Sequence, residues 1–153
     1  FKNTQKVESM LARAGIKLLH NQKESIYLKG QSLTIAGVGD LWSKTCRPEQ
    51  CLTKVSSLSN SGTSLVLCHN PDAKELLINY KWDLMLCGHT HGGQLKIPFL
   101  DWTPFAPVQD HSLVEGLHFW DKRQIHITRG VGNLWGVRLN CRPEVSILEL
   151  SSR

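Results

Sequence analysis

Apolar and polar positions follow two different periods along this chain, and the switches between them mark out its elements. Val7, Met10, Leu11 and Ala14 recur at helical spacing behind Asn3 or Thr4, either of which can cap a helix, and Gly15 stops it. Alternation with period two then takes over at 25–29 and 33–38, giving two short strands joined across Gly30-Gln31. Gly39-Asp40-Leu41-Trp42 closes the second strand; 43–51 reads as a loop, 50–58 as a helix and Asn60-Ser61-Gly62 as a turn. Residues 64–68 and 83–87 are short apolar runs, each read as a buried strand. The first is followed by a helix that begins at Pro71 and reaches Ile78. Near-continuous apolar strands alternating with helices predict a sheet covered on both faces. Beyond a Pro- and aromatic-rich loop at 98–107, the pattern predicts a hairpin of 113–120 and 124–128 and a last strand over 144–150.

Both apolar runs deliver a histidine at their carboxyl end. One ends in His69-Asn70-Pro71-Asp72, the other in Gly88-His89-Thr90-His91-Gly92-Gly93-Gln94. In open sheets, ligands bind in the crevice beyond the carboxyl ends of the strands. If the backbone stays extended, His89 and His91 leave the same face, and His69 on an adjacent strand joins them. Three converging imidazoles make a metal constellation. Gly88 lets the chain leave the sheet tightly, while Thr90 and Gln94 can fix imidazole tautomers by hydrogen bonding. The plainer reading remains open: a bare His-x-His is often a surface pair, and His69 alone can cap the following helix. Asn70 and Asp72 read as capping groups. His20, His111, His118 and His126 read as structural or exposed.

Composition narrows the class. The 153 residues, 41% apolar and 20% charged, suit one folded domain and exclude disorder. A net charge of +5 is compatible with anionic substrates, but the cations are scattered and form no nucleic-acid patch, so no nucleic-acid partner is expected. Five cysteines without Cys-x-x-Cys spacing read as buried free thiols and favour a reducing compartment. No apolar run reaches the length of a membrane span. The opening Phe1-Lys2-Asn3 lacks a Met and shows no signal peptide, which reads as a processed or truncated chain.

The histidine box, together with His69-Asn70-Pro71-Asp72, resembles the C-terminal half of a calcineurin-like metallophosphoesterase of a bacterial phosphodiesterase branch. Gly37-Val38-Gly39-Asp40 is similar to that branch's strand end. Arg129-Gly130-Val131-Gly132, with Arg138 and Arg142-Pro143-Glu144-Val145, is similar to its closing segment. The resemblance implies an α/β fold, a β-sandwich flanked by helices, of which residues 1–153 form the C-terminal portion of a single domain. It implies phosphodiester hydrolysis at two divalent metal ions (Mn, Fe or Zn). His69 and His89 match ligands of one ion and His91 a ligand of the other, with Gly88, Thr90, Asn70 and Gln94 supporting them or facing substrate. The family's Asp-x-His and Gly-Asn-His occur nowhere in the chain, and its only Gly-Asp, at Asp40, aligns with a later strand. No catalytic acid is therefore assigned, and the N-terminal half of the same domain is the expected partner that completes the ligand set. The alternative is a non-catalytic remnant that binds metal or a partner without turnover. An aromatic-rich loop at 99–105 and Trp135 can form an apolar lip, which admits a lipid-headgroup substrate as well as a small-molecule phosphodiester, and a membrane surface. The expected location is cytoplasmic or peripheral to the inner membrane.

Overall fold

The alternating segments pair as the pattern dictates. β1 (Gln22–Leu28) and β2 (Gln31–Gly37) form an antiparallel hairpin, with Ile26 opposite Leu33. The computed structural model describes residues 4–56, 62–98 and 102–151. The two apolar runs become β3 (Thr63–Leu67) and β4 (Leu84–Cys87). The second hairpin is β5 (Gly116–Trp120) with β6 (Arg123–Ile127). All six join one sheet in the order β1-β2-β3-β4-β6-β5. β2, β3, β4 and β6 run parallel, and the hairpin partners β1 and β5 are antiparallel edges. This is a mixed α/β chain consistent with the metallophosphoesterase-type fold.

The register shows why the two faces differ. Ala36, Val66, Met85 and Ile125 lie in one row across the four parallel strands, and all are fully buried. Cys51, Leu52, Ala73, Leu77, Trp82 and Leu113 pack over them. The opposite face carries exposed Leu28, Leu67, Leu117 and Phe119 around Leu65 and Leu84, which are buried. The expectation of cover on both faces is met in full on one face only among the described residues. All five cysteines are free and buried.

α1 (Thr4–Arg13) ends as expected: Gly15 takes φ 69°, Gly15 N donates to Ala12 O and Ile16 N to Leu11 O. Three expectations fail for backbone reasons. A 3-10 turn, Pro48–Gln50, stands at the start of the helix expected over 50–58, and the helix is absent from 51–56, because Val55 N donates to Asn79 O and Lys81 N to Thr53 O, a strand-like use of the same groups. Residues 57–61, with most of the expected turn, lie outside the described residues. The helix expected from Pro71 is a 3-10 turn, Pro71–Glu75, after which the chain turns into the Lys54–Tyr80 bridge. The strand expected over 144–150 is not formed: these residues pair with no strand among the described residues. Its alternation is strand-like, yet both sides of β6 are already taken, by β4 and β5. No described helix is long and apolar enough to cross a membrane.

Candidate metal centre

The carboxyl ends of the parallel strands gather the polar groups. His69 follows β3 by two residues and His89 follows β4 by two, and Gly88 N donating to His69 O (3.1 Å) fixes one end against the other. The two side chains meet: His89 Nδ1 lies 3.1 Å from His69 Nε2, with ring centroids 4.9 Å apart. Trp42 stands edge-on to His89 at 4.3 Å. Burial, then the neighbouring His69, lowers the His89 pKa below its ordinary value, which favours the neutral ring, whose one unprotonated nitrogen offers a lone pair. His89 Nε2 is buried without a partner, as is the Nδ2 donor of fully buried Asn70 next to His69. The two facing imidazole nitrogens fit a metal: 3.1 Å apart, both can reach one ion at the roughly 2.0–2.1 Å of a zinc–imidazole bond.

The expected same-face exit of His89 and His91 is not what the backbone does. β4 ends at Cys87, and His89 and His91 take φ 70° and 52°, the left-handed region that costs non-glycine residues energy. His91 opens a 3-10 turn, His91–Gly93, and its Nδ1 meets Gln94 Oε1 at 3.2 Å rather than the other two imidazoles. The tight geometry falls at Gly92, not Gly88: Gly92 has φ 64°, and a Cβ there would collide with Cys141 Sγ and Arg129 Cγ, whereas Gly88 has open space. Among the described residues no group of three or more His, Cys, Asp or Glu is placed to hold a metal ion.

The supporting residues have defined tasks. Asn70 Oδ1 accepts from Asp72 N at 2.9 Å, the expected cap, and Thr90 Oγ1 accepts from Gly92 N at 3.2 Å. Asp72 holds the 108–110 segment instead of capping, accepting from Gln109 N at 2.9 Å. Gln94 bonds Leu134 in both directions, Nε2 to Leu134 O at 2.9 Å and Leu134 N to Oε1 at 2.8 Å. Because Oε1 accepts, His91 Nδ1 carries the hydrogen and Nε2 keeps the lone pair. Arg138 donates to the carbonyls of His91, Arg129, Gly130, Gly132 and Cys141, clamping the closing segment onto the His91 turn. Of the expected lip, 99–101 lies outside the described residues, while Trp102, Phe105 and Trp135 are exposed.

Sequence reasoning left Asp40 and Trp42 out of the site. β2 is the parallel neighbour of β3, so its carboxyl end opens on the same rim, and that topology was the missing signal. Burial pushes the Asp40 carboxyl up, but the Ser43 N–H and hydroxyl and the fields of His69 and His89 outweigh it and lower its pKa. His126 pairs in register with Leu86 and lies on the sheet face opposite Met85 and Ile125, with both ring nitrogens buried and unpartnered.

The chain is 50% identical to phosphodiesterase YaeI of Escherichia coli over 92% of its own length and 49% of the relative's. It is 30% identical to the metallophosphoesterase YkuE of Bacillus subtilis over 95% of its length and 50% of the relative's. It is 29% identical to the UDP-2,3-diacylglucosamine pyrophosphatase LpxG of Chlamydia muridarum over 92% of its length and 43% of the relative's. The chain thus spans about half the length of the curated relatives it matches. No family model matches it, and no solved structure does.

Proposed function

We propose that this chain, a member of the YaeI/YkuE branch of the calcineurin-like metallophosphoesterases, supplies the histidine ligands of a two-metal phosphodiesterase centre. His69 and His89 hold one divalent ion and His91 the other, of Mn, Fe or Zn. Bound there, the ions supply charge that activates water and offsets the phosphoryl oxygens. The chain's own residues do the holding: Gln94 leaves His91 Nε2 free, Thr90 and Gly92 shape its turn, Gly88 carries the backbone bond to His69, and Asn70 fixes the turn after His69 by accepting from Asp72 N. The observation that carries the reading is the 3.1 Å contact of two imidazoles from adjacent parallel strand ends.

The ligand set is completed by the N-terminal half of the same domain, which brings the bridging carboxylate and the acid. The open, apolar sheet face and the roughly half-length match to relatives support this. The substrate is a phosphodiester, small-molecule or lipid-headgroup, reached from the cytoplasm or from the inner-membrane surface. That one relative is named for a diacylglucosamine nucleotide supports the lipid-linked end of that range.

A second reading has its own support. Imidazoles alone offset no charge, and no metal-holding group of three is present among the described residues, as in a remnant that binds without turnover. Co-expression with the remaining half of YaeI separates the two. Metal-dependent hydrolysis of bis(4-nitrophenyl) phosphate, lost with His89→Ala, supports the enzyme; metal binding without hydrolysis supports the remnant.

A further inference from the structure

The segment that closes over the His91 turn presents apolar side chains outward. Val131, Leu134, Trp135, Val137 and Leu139 are all exposed, Trp135 to 91%. The tip is held in shape. Leu134 is bonded in both directions by Gln94, Arg138 ties Gly130 and Gly132 to the His91 carbonyl, and Trp135 and Gly136 turn the chain at φ 56° and 72°. An apolar tip fixed in this way keeps its surface in water, which is unfavourable unless something covers it.

The charge around the tip indicates what that is. Residues 129–143 contain Arg129, Arg138 and Arg142 and no Asp or Glu, in a chain of net charge +5. Arg129 is paired with Glu144 and Glu115, whereas Arg138 donates only to neutral carbonyl and thiol groups and keeps its full charge, and Arg142 is exposed. An aromatic ring flanked by aliphatic groups and arginines suits the bilayer interface, where Trp sits at headgroup depth and cations meet anionic lipids. We propose that residues 131–139 dock on an anionic lipid bilayer, with Trp135 entering the interface and the His91 turn held at the level of the headgroups. This deepens the phosphodiesterase reading by placing its substrate side at a lipid surface, and rests on that reading only for what is cleaved there.

Cosedimentation of the 153-residue chain with phosphatidylcholine–phosphatidylglycerol vesicles tests it. Binding is expected, weakened by added salt, and reduced about tenfold or more in Trp135→Ser, as loss of one large buried aromatic predicts. Phe119→Ser, on the open sheet face, should bind like the parent chain, and circular dichroism should show both variants folded. Equal binding to pure phosphatidylcholine, unchanged binding of Trp135→Ser, loss confined to Phe119→Ser, or no vesicle binding at all overturns the proposal. The readout is partition and not turnover, so its failure leaves the metal reading standing, and a failed metal titration leaves this one standing.

Discussion

Replacing Gln94 by Leu should loosen the closing segment and the His91 turn together. The side chain is 9% exposed and makes three bonds, two to the Leu134 backbone and one to His91 Nδ1. Leucine of similar length leaves the Leu134 N–H and C=O without partners. Each costs about 1 kcal/mol at a site that water can partly reach, so the total is about 2 kcal/mol. For a domain of this size that lowers the melting temperature by about 4–8 °C. His91 also loses the acceptor that holds its hydrogen on Nδ1, and losing such an orienting partner typically weakens metal binding about 10–100-fold. Gln94→Glu separates the two effects. Its carboxylate still accepts from Leu134 N and His91 Nδ1 but repels Leu134 O, so stability should fall while metal affinity is kept. Thermal melts and metal titrations of both variants provide the check. A Gln94→Leu protein that melts and binds metal like the parent chain would refute the tautomer argument and the clamp together.

Two further variants test the packing and the electrostatics. Met85→Ala, at the centre of the covered face, should cost about 2–5 kcal/mol in urea melts, whereas Leu67→Ser on the open face should cost less than about 1 kcal/mol; equal costs would show that both faces are packed. Glu144 accepts from the Ser146 hydroxyl and, against the opposing effect of burial, pairs with Arg129 at 2.6 Å, which lowers its pKa from the ordinary 4.5. A depressed carboxyl stabilises the fold above its unfolded value and loses that contribution as pH falls through the folded one. Glu144→Gln should therefore cost below about 1 kcal/mol at neutral pH for this part-exposed pair and progressively less as pH falls below 4.5 through the lowered value; a difference that does not shrink with acidification would contradict the pairing.

The sheet was legible because period-two alternation and apolar runs are properties of neighbouring residues. All six strands stand within a few residues of where 25–38, 64–68, 83–87 and 113–128 place them. The failures involve backbone partners far along the chain. Nothing local in 50–58 shows that Thr53 and Val55 bond to Lys81 and Asn79, and nothing in the alternation of 144–150 shows that β6 has no free side. At the site, the meeting of His69 and His89 follows from strand adjacency and was readable. The divergence of His91 was not, because it depends on positive φ at two histidines and on Gln94 reaching across 40 residues to Leu134. Asp40 and Trp42 were hidden for a related reason: their place on the rim follows only once β2 is known to lie beside β3.

In the proposed centre His69, His89 and His91 hold the metal, and the charge-compensating ligands come from the other half of the domain. Titrating the purified 153 residues with Mn²⁺, Zn²⁺ or Fe²⁺ by calorimetry, while assaying bis(4-nitrophenyl) phosphate hydrolysis, tests it directly. At most one ion per chain is expected, weakly bound, lost in His89→Ala and unaffected by His111→Ala, with no turnover, since Asp40, held on the rim by Ser43, forms no metal-holding group with these imidazoles and two dications repel without a carboxylate between them. Two ions per chain with robust hydrolysis, or an ion whose binding ignores His89→Ala, would contradict it.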